Sequence, residues 1–225
     1  MSCRGRITHR PPFGECVLLA GFPGVGFAAP LAVYHVERSL GCVEVAEIFC
    51  PSLGGAVTDG EGGLISRTLK LRAVRLEEDA LLTTWTVSQP ESAREAYDLC
   101  EELIRLSKEL GCRLMVSMTS ISGVRRGGVY YAASSRETLR GVDGRGMEVY
   151  EGEIRGLSGL LTALCGLGGV DCVCLLASSA DVAADLEASS ALLRYAGRIA
   201  GIEFSLKGLE DSAGEFMRLL KMYGG

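Results

Sequence analysis

Apolar runs alternate with helical stripes along most of the chain. Cys16 to Ala20 is a short continuous apolar run, the pattern of a strand buried on both faces. The loop Gly21-Phe-Pro-Gly-Val-Gly26 follows, and the pattern then predicts a helix from about Phe27 to Leu40, stopped by Gly41. Further strands are predicted over 44–49, 64–74, 81–87, 113–120, 129–133, 147–154 and 171–177. Positions 64–74 carry one wet row (Ser66, Thr68, Lys70, Arg72), which places that strand near a sheet edge.

Ser88-Gln-Pro-Glu91 reads as a capping box opening a helix to Leu110, with Ala93, Ala96, Cys100, Leu103, Ser107 and Leu110 on its apolar stripe. Ser134 or Ser135 caps a short helix through Leu139. Gly156-Leu-Ser-Gly159 opens an apolar helix to about Leu167, and Asp181 caps an Ala-rich one to about Ala200. A last helix spans about Leu209 to Met222. Strands alternating with helices, several apolar throughout, predict a mostly parallel sheet with helices on both faces. With no repeat and no linker, the expectation is one α/β domain over 1–225, closed by helices at about 181–222.

The 21 uncharged residues from Cys16 to Val36 reach the length of a membrane span. Gly21, Pro23, Gly24, Gly26 and Pro30 would leave backbone groups unpaired in lipid, so the stretch is read as strand, loop and helix. The first six residues are followed by no apolar signal segment, and a cytoplasmic location is expected. A net charge of −5 with scattered basic residues disfavours nucleic acid. The nine cysteines form no C-x-x-C pair; most are read as small buried hydrophobes, with disulfides open if the source is hyperthermophilic. Two histidines and no ligand spacing argue against a metal, and no cofactor is expected.

Candidate chemistry concentrates in the two glycine loops. Gly21, Pro23, Gly24 and Gly26 sit between a strand and a helix, where backbone donors and the helix dipole can hold an anion. Their G-x-x-G-x-G spacing reverses the dinucleotide fingerprint, and no Gly-Lys-Ser/Thr follows. Gly156, Ser158 and Gly159 occupy the same context, without the spacing of a nucleophile elbow. Either loop is a ligand cradle or a tight strand-to-helix turn; Ser158 reads as a helix cap. His9, in a mobile N-terminal segment, and His35, mid-helix, are poor bases for a serine or cysteine nucleophile, so no catalytic residue is assigned. The one acidic pair placed for a cleft is Asp59-Gly-Glu61, which reads as a turn.

Taken together, Gly21–Gly26, Glu47-Ile48, Gln89-Pro90 before the long helix, Val129-Tyr-Tyr-Ala-Ala133 with Ser-Ser-Arg-Glu-Thr-Leu, Ile154–Leu161 and the two closing helices resemble the proteasome-assembly-chaperone family in its archaeal and bacterial form. The resemblance runs through nearly the whole chain in order. It implies a three-layer α/β/α domain of the phosphorylase/hydrolase-like kind, self-association into homo-oligomers, and binding to proteasome α-subunits. Some members carry an ATP-grasp label, which these loops do not support because no phosphate-binding lysine follows the glycines. Family members can dock through a C-terminal hydrophobic-Tyr-any tail; here Met222 and Tyr223 precede two glycines, placing Tyr one residue out of register. The alternative is a small-molecule or nucleotide-binding enzyme using the crevice between the glycine loops.

Overall fold

A computed structural model of the chain describes all residues except 1, 11–13, 54–55, 59–62, 67, 78, 123, 126, 143–146, 181–182 and 224–225. Its frame is a nine-stranded sheet. In chain order the elements are β1 (Arg4–Ile7), β2 (Cys16–Gly21), α1 (Ala28–Leu40), β3 (Val43–Phe49), β4 (Ala56–Thr58), β5 (Leu64–Ser66), β6 (Leu69–Arg75), β7 (Ala80–Trp85) and α2 (Ala93–Glu109). There follow β8 (Cys112–Ile121), β9 (Val129–Ala133), α3 (Arg136–Val142), β10 (Glu148–Val149), α4 (Leu157–Leu167), β11 (Asp171–Ser178), α5 (Leu186–Ala200) and α6 (Leu209–Tyr223).

The strand order is β1-β3-β6-β7-β2-β8-β11-β9-β10, with β4 and β5 forming a separate hairpin. The expectation of a mostly parallel sheet needs correction. The central block β7-β2-β8-β11 is parallel throughout, and β10 pairs parallel with β9; β1, β3 and β6 add to the central block antiparallel, as does β9. The sheet is mixed because β3, the hairpin, β6 and β7 follow one another with no helix between them among the described residues, and consecutive strands without a crossover pair antiparallel.

Strand alternation divides the core. Leu18, Ala20, Leu82, Met115 and Cys172 meet Leu99, Cys100, Leu103 and Leu106 of α2 and Leu157, Leu161 and Cys165 of α4. Val17, Leu19, Leu81, Val116 and Leu175 meet Ala29, Ala32 and Val33 of α1 and Leu192, Leu193 and Ala196 of α5. A third cluster joins Leu31 of α1 to Leu209, Ala213 and Phe216 of α6. Cys16 to Val36 resolves, as expected, into strand, turn and helix, and among the described residues no helix is long and apolar enough to cross a membrane.

Several boundaries move. The α2 cap is Ser92, whose hydroxyl accepts the Glu95 N–H at 3.2 Å, and not Ser88. The S-x-x-E pattern occurs twice in succession, and the copy containing Pro90 is the one left in the loop. Asp181 lies outside the described residues; α5 is capped by Asp185, whose carboxylate accepts from Ala188 N–H, Ser179 Oγ and Ala180 N–H. Burial alone would raise the pKa of Asp185, but these donors hold it below the ordinary carboxylate value. Ser135 caps α3 by accepting the Thr138 N–H, while Ser134 bridges the start of β11.

The stretch read as one strand over 64–74 is two, in different sheets, and β6 lies third from the edge. Its wet row is met by partners instead of solvent: Lys70 pairs with Glu44, and Arg72 with Glu37. The strand read over 147–154 shrinks to two residues. The N-terminal segment, read as mobile, supplies edge strand β1, and the amides of Thr8 and His9 both donate to Val45 O. Cys3 and Cys50 form a disulfide; Cys16, Cys100, Cys165, Cys172 and Cys174 are buried thiols, as expected for most of the nine.

Glu37, on the last turn of α1, is the most consequential buried polar side chain. It accepts from Arg72 Nη1, Thr83 Oγ1 and Trp85 Nε1, each at 2.9 Å, and so ties α1 to β6 and β7. Replacing it with Ala strands these donors and is expected to cost about 3–5 kcal/mol in urea unfolding. Burial pushes the Glu37 carboxyl above its ordinary value of 4.5, against the pull of Arg72 and the three donors. Between the unfolded and native values, the native state holds a proton that the unfolded chain has released. The Glu37 contribution to stability is fullest below pH 4.5 and declines as pH rises through the native value. Glu37→Gln should flatten that part of the stability–pH curve.

Candidate functional site

The C-terminal end of β8 brings the two glycine loops together. Gly21 ends β2 opposite Met118, and the next amide, Phe22 N–H, donates to Met118 O at 3.0 Å. From the first turn of α4, the Ser158 hydroxyl donates to the same carbonyl at 3.0 Å. One peptide oxygen thus receives a donor from each loop.

The first loop lies down on β8. Thr119 Oγ1 donates to Pro23 O, and Ser120 Oγ donates to Val25 O at 2.5 Å. The third carbonyl, that of Gly26, accepts the Asp185 amide from the α5 side at 3.1 Å. Gly24 is required by this contact, because a Cβ there would run into the Ser120 main chain and Thr119 Oγ1. Gly21 is tight for the same reason, its Cβ position lying 2.5 Å from Ala29 O. Gly26 turns at φ +69°, and the two non-glycine residues with left-handed backbone among those described, Phe27 (φ +51°) and Ala184 (φ +57°), flank the Gly26–Asp185 bond. The bond holds both in place.

The second loop is equally close. Gly156, at φ +80°, is the N-cap of α4, with the Gln89 side chain against its Cα. Ser158 is therefore not the cap, contrary to the sequence reading; it is 1% exposed and its hydroxyl is directed into β8. Its own carbonyl accepts from Thr162 Oγ1 at 2.8 Å. At Gly159 a Cβ would collide with Ile154 O. The structure thus brings Gly21, Pro23, Gly24, Gly26, Gly156, Ser158 and Gly159 to one end of the sheet, with the polar atoms named here engaged by the chain itself. Cavities of about 290, 400 and 700 Å³ are lined by other residues.

The remaining candidates lie apart from the loops. His35 is buried, with Nε2 2.8 Å from Ser205 O and Nδ1 2.9 Å from Ser212 Oγ. A carbonyl only accepts, so Nε2 carries a proton, while Nδ1 faces the Ser212 hydroxyl. His35 is thereby a rivet between α1 and α6. His9 is exposed beside Arg10, Arg105 and Glu109. Burial pushes the thiols of Cys100 and Cys174 up to about 12, and burial with Glu37 beside it pushes that of Cys42 up to about 11, so all three stay protonated at neutral pH. Asp59 and Glu61 lie outside the described residues, and Met222 and Tyr223 close α6. Among the described residues no three His, Cys, Asp or Glu side chains gather as a metal site.

Residues 18–222 match the model of the PAC2 family. The chain belongs to the PAC2 family. Among PAC2-like folds, the archaeal proteasome activator PbaB of Pyrococcus furiosus superposes with a TM-score of 0.81 at 20% identity, covering 99% of each chain. PbaA of the same organism, an archaeal homolog of proteasome-assembly chaperone, gives 0.78 at 16% identity over 98% of this chain and 97% of its own. The proteasome-assembly chaperone homologue Rv2125 of Mycobacterium tuberculosis gives 0.69 at 18%, covering 93% and 94%. At these identities the likeness is one of fold. An uncharacterized protein of Methanocaldococcus jannaschii is 24% identical over 215 residues, 92% of this chain and 83% of that one. The resemblance drawn from the residues is borne out at the level of family.

Sequence patterns found both loops but missed what they grip. Thr119 and Ser120 stand near the end of a mostly apolar strand, and a pair of hydroxyl residues there is the signal that was available. Gly24→Ala is expected to destabilise the PAC2 chain by about 2–3 kcal/mol through overpacking, read as a loss of roughly 5–10 °C in Tm. Gly41→Ala, strained in backbone but facing open space, should cost about 1 kcal/mol.

Proposed function

We propose that this PAC2 chain is a non-catalytic binding protein of the proteasome-assembly-chaperone kind, acting on proteasome α-subunits as a cytoplasmic homo-oligomer. The observation that carries this reading is the family match across residues 18–222. The geometry supports it. In an open α/β sheet the carboxyl ends of parallel strands are the default ligand crevice, and here loop carbonyls and the Ser158 hydroxyl are committed to β8 and to α5. No hydroxyl or thiol in the described contacts is hydrogen-bonded to a histidine placed at the loops, as nucleophilic catalysis requires. The same reading takes the whole chain as one three-layer α/β/α domain of the phosphorylase/hydrolase-like kind.

A second reading has one observation in its favour: both glycine loops sit at the same end of the sheet. In that reading Gly21, Pro23, Gly24, Gly26, Gly156, Ser158 and Gly159 contact a nucleotide or other small anion, after local rearrangement of the bonds to β8.

The two readings separate experimentally. The purified chain, mixed with archaeal proteasome α-subunits, is expected to co-elute with them on size exclusion at low and high salt; separate elution at every salt concentration overturns the chaperone reading. A nucleotide present at 100 times its Kd would add about 2.7 kcal/mol, or roughly 5–10 °C of Tm for a chain of this size. Flat melting curves across nucleotides and phosphate are expected, and a shift of that size would favour the second reading.

A further inference from the structure

β1 is the outermost strand on one side of the sheet, only four residues long, and its register with β3 pairs Arg4 with Phe49. One step further, that register sets Cys3 opposite Cys50, and the two are joined with Cα atoms 4.3 Å apart. Both cysteines are buried, at 4% and 0% exposure.

The outer side of β1 is occupied too. Gly5 N–H donates to Glu102 Oε2 at 2.9 Å, and Arg105 Nη2 donates to Gly5 O at 3.0 Å. These are the groups another strand would use to add to this edge. The approach of α2 depends on glycine, since a Cβ at residue 5 would meet Leu106 Cδ1 at 2.6 Å and Glu102 Oε2 at 2.9 Å. Arg105 is itself fixed between Glu102 and Glu109. α2 thus seals β1, and β1 in turn covers the edge of β3.

We propose that the Cys3–Cys50 disulfide is a redox latch on this edge. Besides its short backbone ladder to β3, continued by the Thr8 and His9 amides on Val45 O, the other holds on β1 are weak ones: exposed ion pairs such as Arg6–Glu47, the two bonds to Gly5, and the partly buried side chain of Ile7. A four-residue edge strand with a single strand neighbour, held by little more than these, belongs to the least stable cooperative units of a fold. The covalent bond abolishes its detachment, because Cys3 and Cys50 face each other directly and leave no slack. Reduction restores that freedom, and when β1 lifts, Val43–Phe49 becomes the edge of the sheet.

The reductant is a dithiol. One of its thiolates attacks Cys3 sulfur, the more accessible of the pair, forming a mixed disulfide as the Cys3–Cys50 bond breaks and Cys50 leaves as a thiolate that takes up a proton. The second thiol of the reductant then displaces Cys3 as its thiol, and the reductant ends as a disulfide. Two electrons and two protons pass from reductant to protein.

The test is native-state hydrogen exchange on the full chain, oxidised and after dithiothreitol, with the redox state fixed by alkylation and intact mass. The oxidised protein should be protected from alkylation at Cys3 and Cys50. Reduction should speed exchange over residues 4–7 and 43–49 about tenfold or more, leaving β2, β7 and β8 unchanged. Cys3→Ser should reproduce the reduced pattern without any reductant. Unchanged protection of residues 4–7 in reduced wild-type protein overturns the latch. So does a chain isolated under non-reducing, thiol-free conditions in which both cysteines alkylate, and so does loosening that spreads to the central strands, which would make the bond a global staple.

Discussion

The carbonyl of Met118 is where the upper end of this fold is fixed. It accepts the Phe22 amide, which continues the pairing of β2 with β8, and the Ser158 hydroxyl from the first turn of α4, so both glycine loops are anchored through a single peptide oxygen. A carbonyl has two lone pairs, and using both leaves no acceptor there for a guest. The adjoining hydroxyls of Thr119 and Ser120 extend the joint along the first loop, and the Asp185 amide closes it at Gly26. The glycines follow from this. Close backbone contact leaves no room for Cβ at Gly24 against β8, at Gly21 against Ala29 of α1 and at Gly159 against Ile154 O, while Gly26 and Gly156 are required by positive φ.

This explains why a glycine-rich strand-to-helix loop has two meanings that sequence alone leaves open. A phosphate cradle and a tight joint both need close backbone approach. They differ in where the polar groups end, and that is decided by residues about a hundred positions away. Thr119 and Ser120 stand near the end of a mostly apolar strand and gave no periodic signal of their own. Ser158 was legible as a serine at a helix start, yet its rotamer sends the hydroxyl into β8 and leaves Gly156 as the cap.

The central strands were legible because burial on both faces writes an unbroken apolar run, as in Cys16–Ala20 and Cys172–Ala177. What failed was direction and edge. β6 carries Lys70 and Arg72 and looked like a border strand, but Glu44 and Glu37 supply their partners, and the strand sits well inside the sheet. β1, with its Arg-Gly-Arg-Ile sequence, has no strand pattern. Its place is set by Cys50 and by Glu102 and Arg105 of α2, all distant in sequence. Glu37 was invisible for a related reason: a single acid on an Ala- and Val-rich helix reads as surface until Arg72, Thr83 and Trp85 close around it.

The non-catalytic side of the proposed role, with no ligand taken at the glycine loops, requires this joint to be closed in the free protein. Residue-resolved amide exchange at Phe22 and Asp185 tests that most directly, since these two N–H groups hold the first loop at its two ends. With the joint closed, both exchange only when the whole chain unfolds, as slowly as the amides of β2 and β8. Exchange at the rate of a surface loop, slowing once a small anion is added, would mean that the loop opens to take a ligand and would contradict the account.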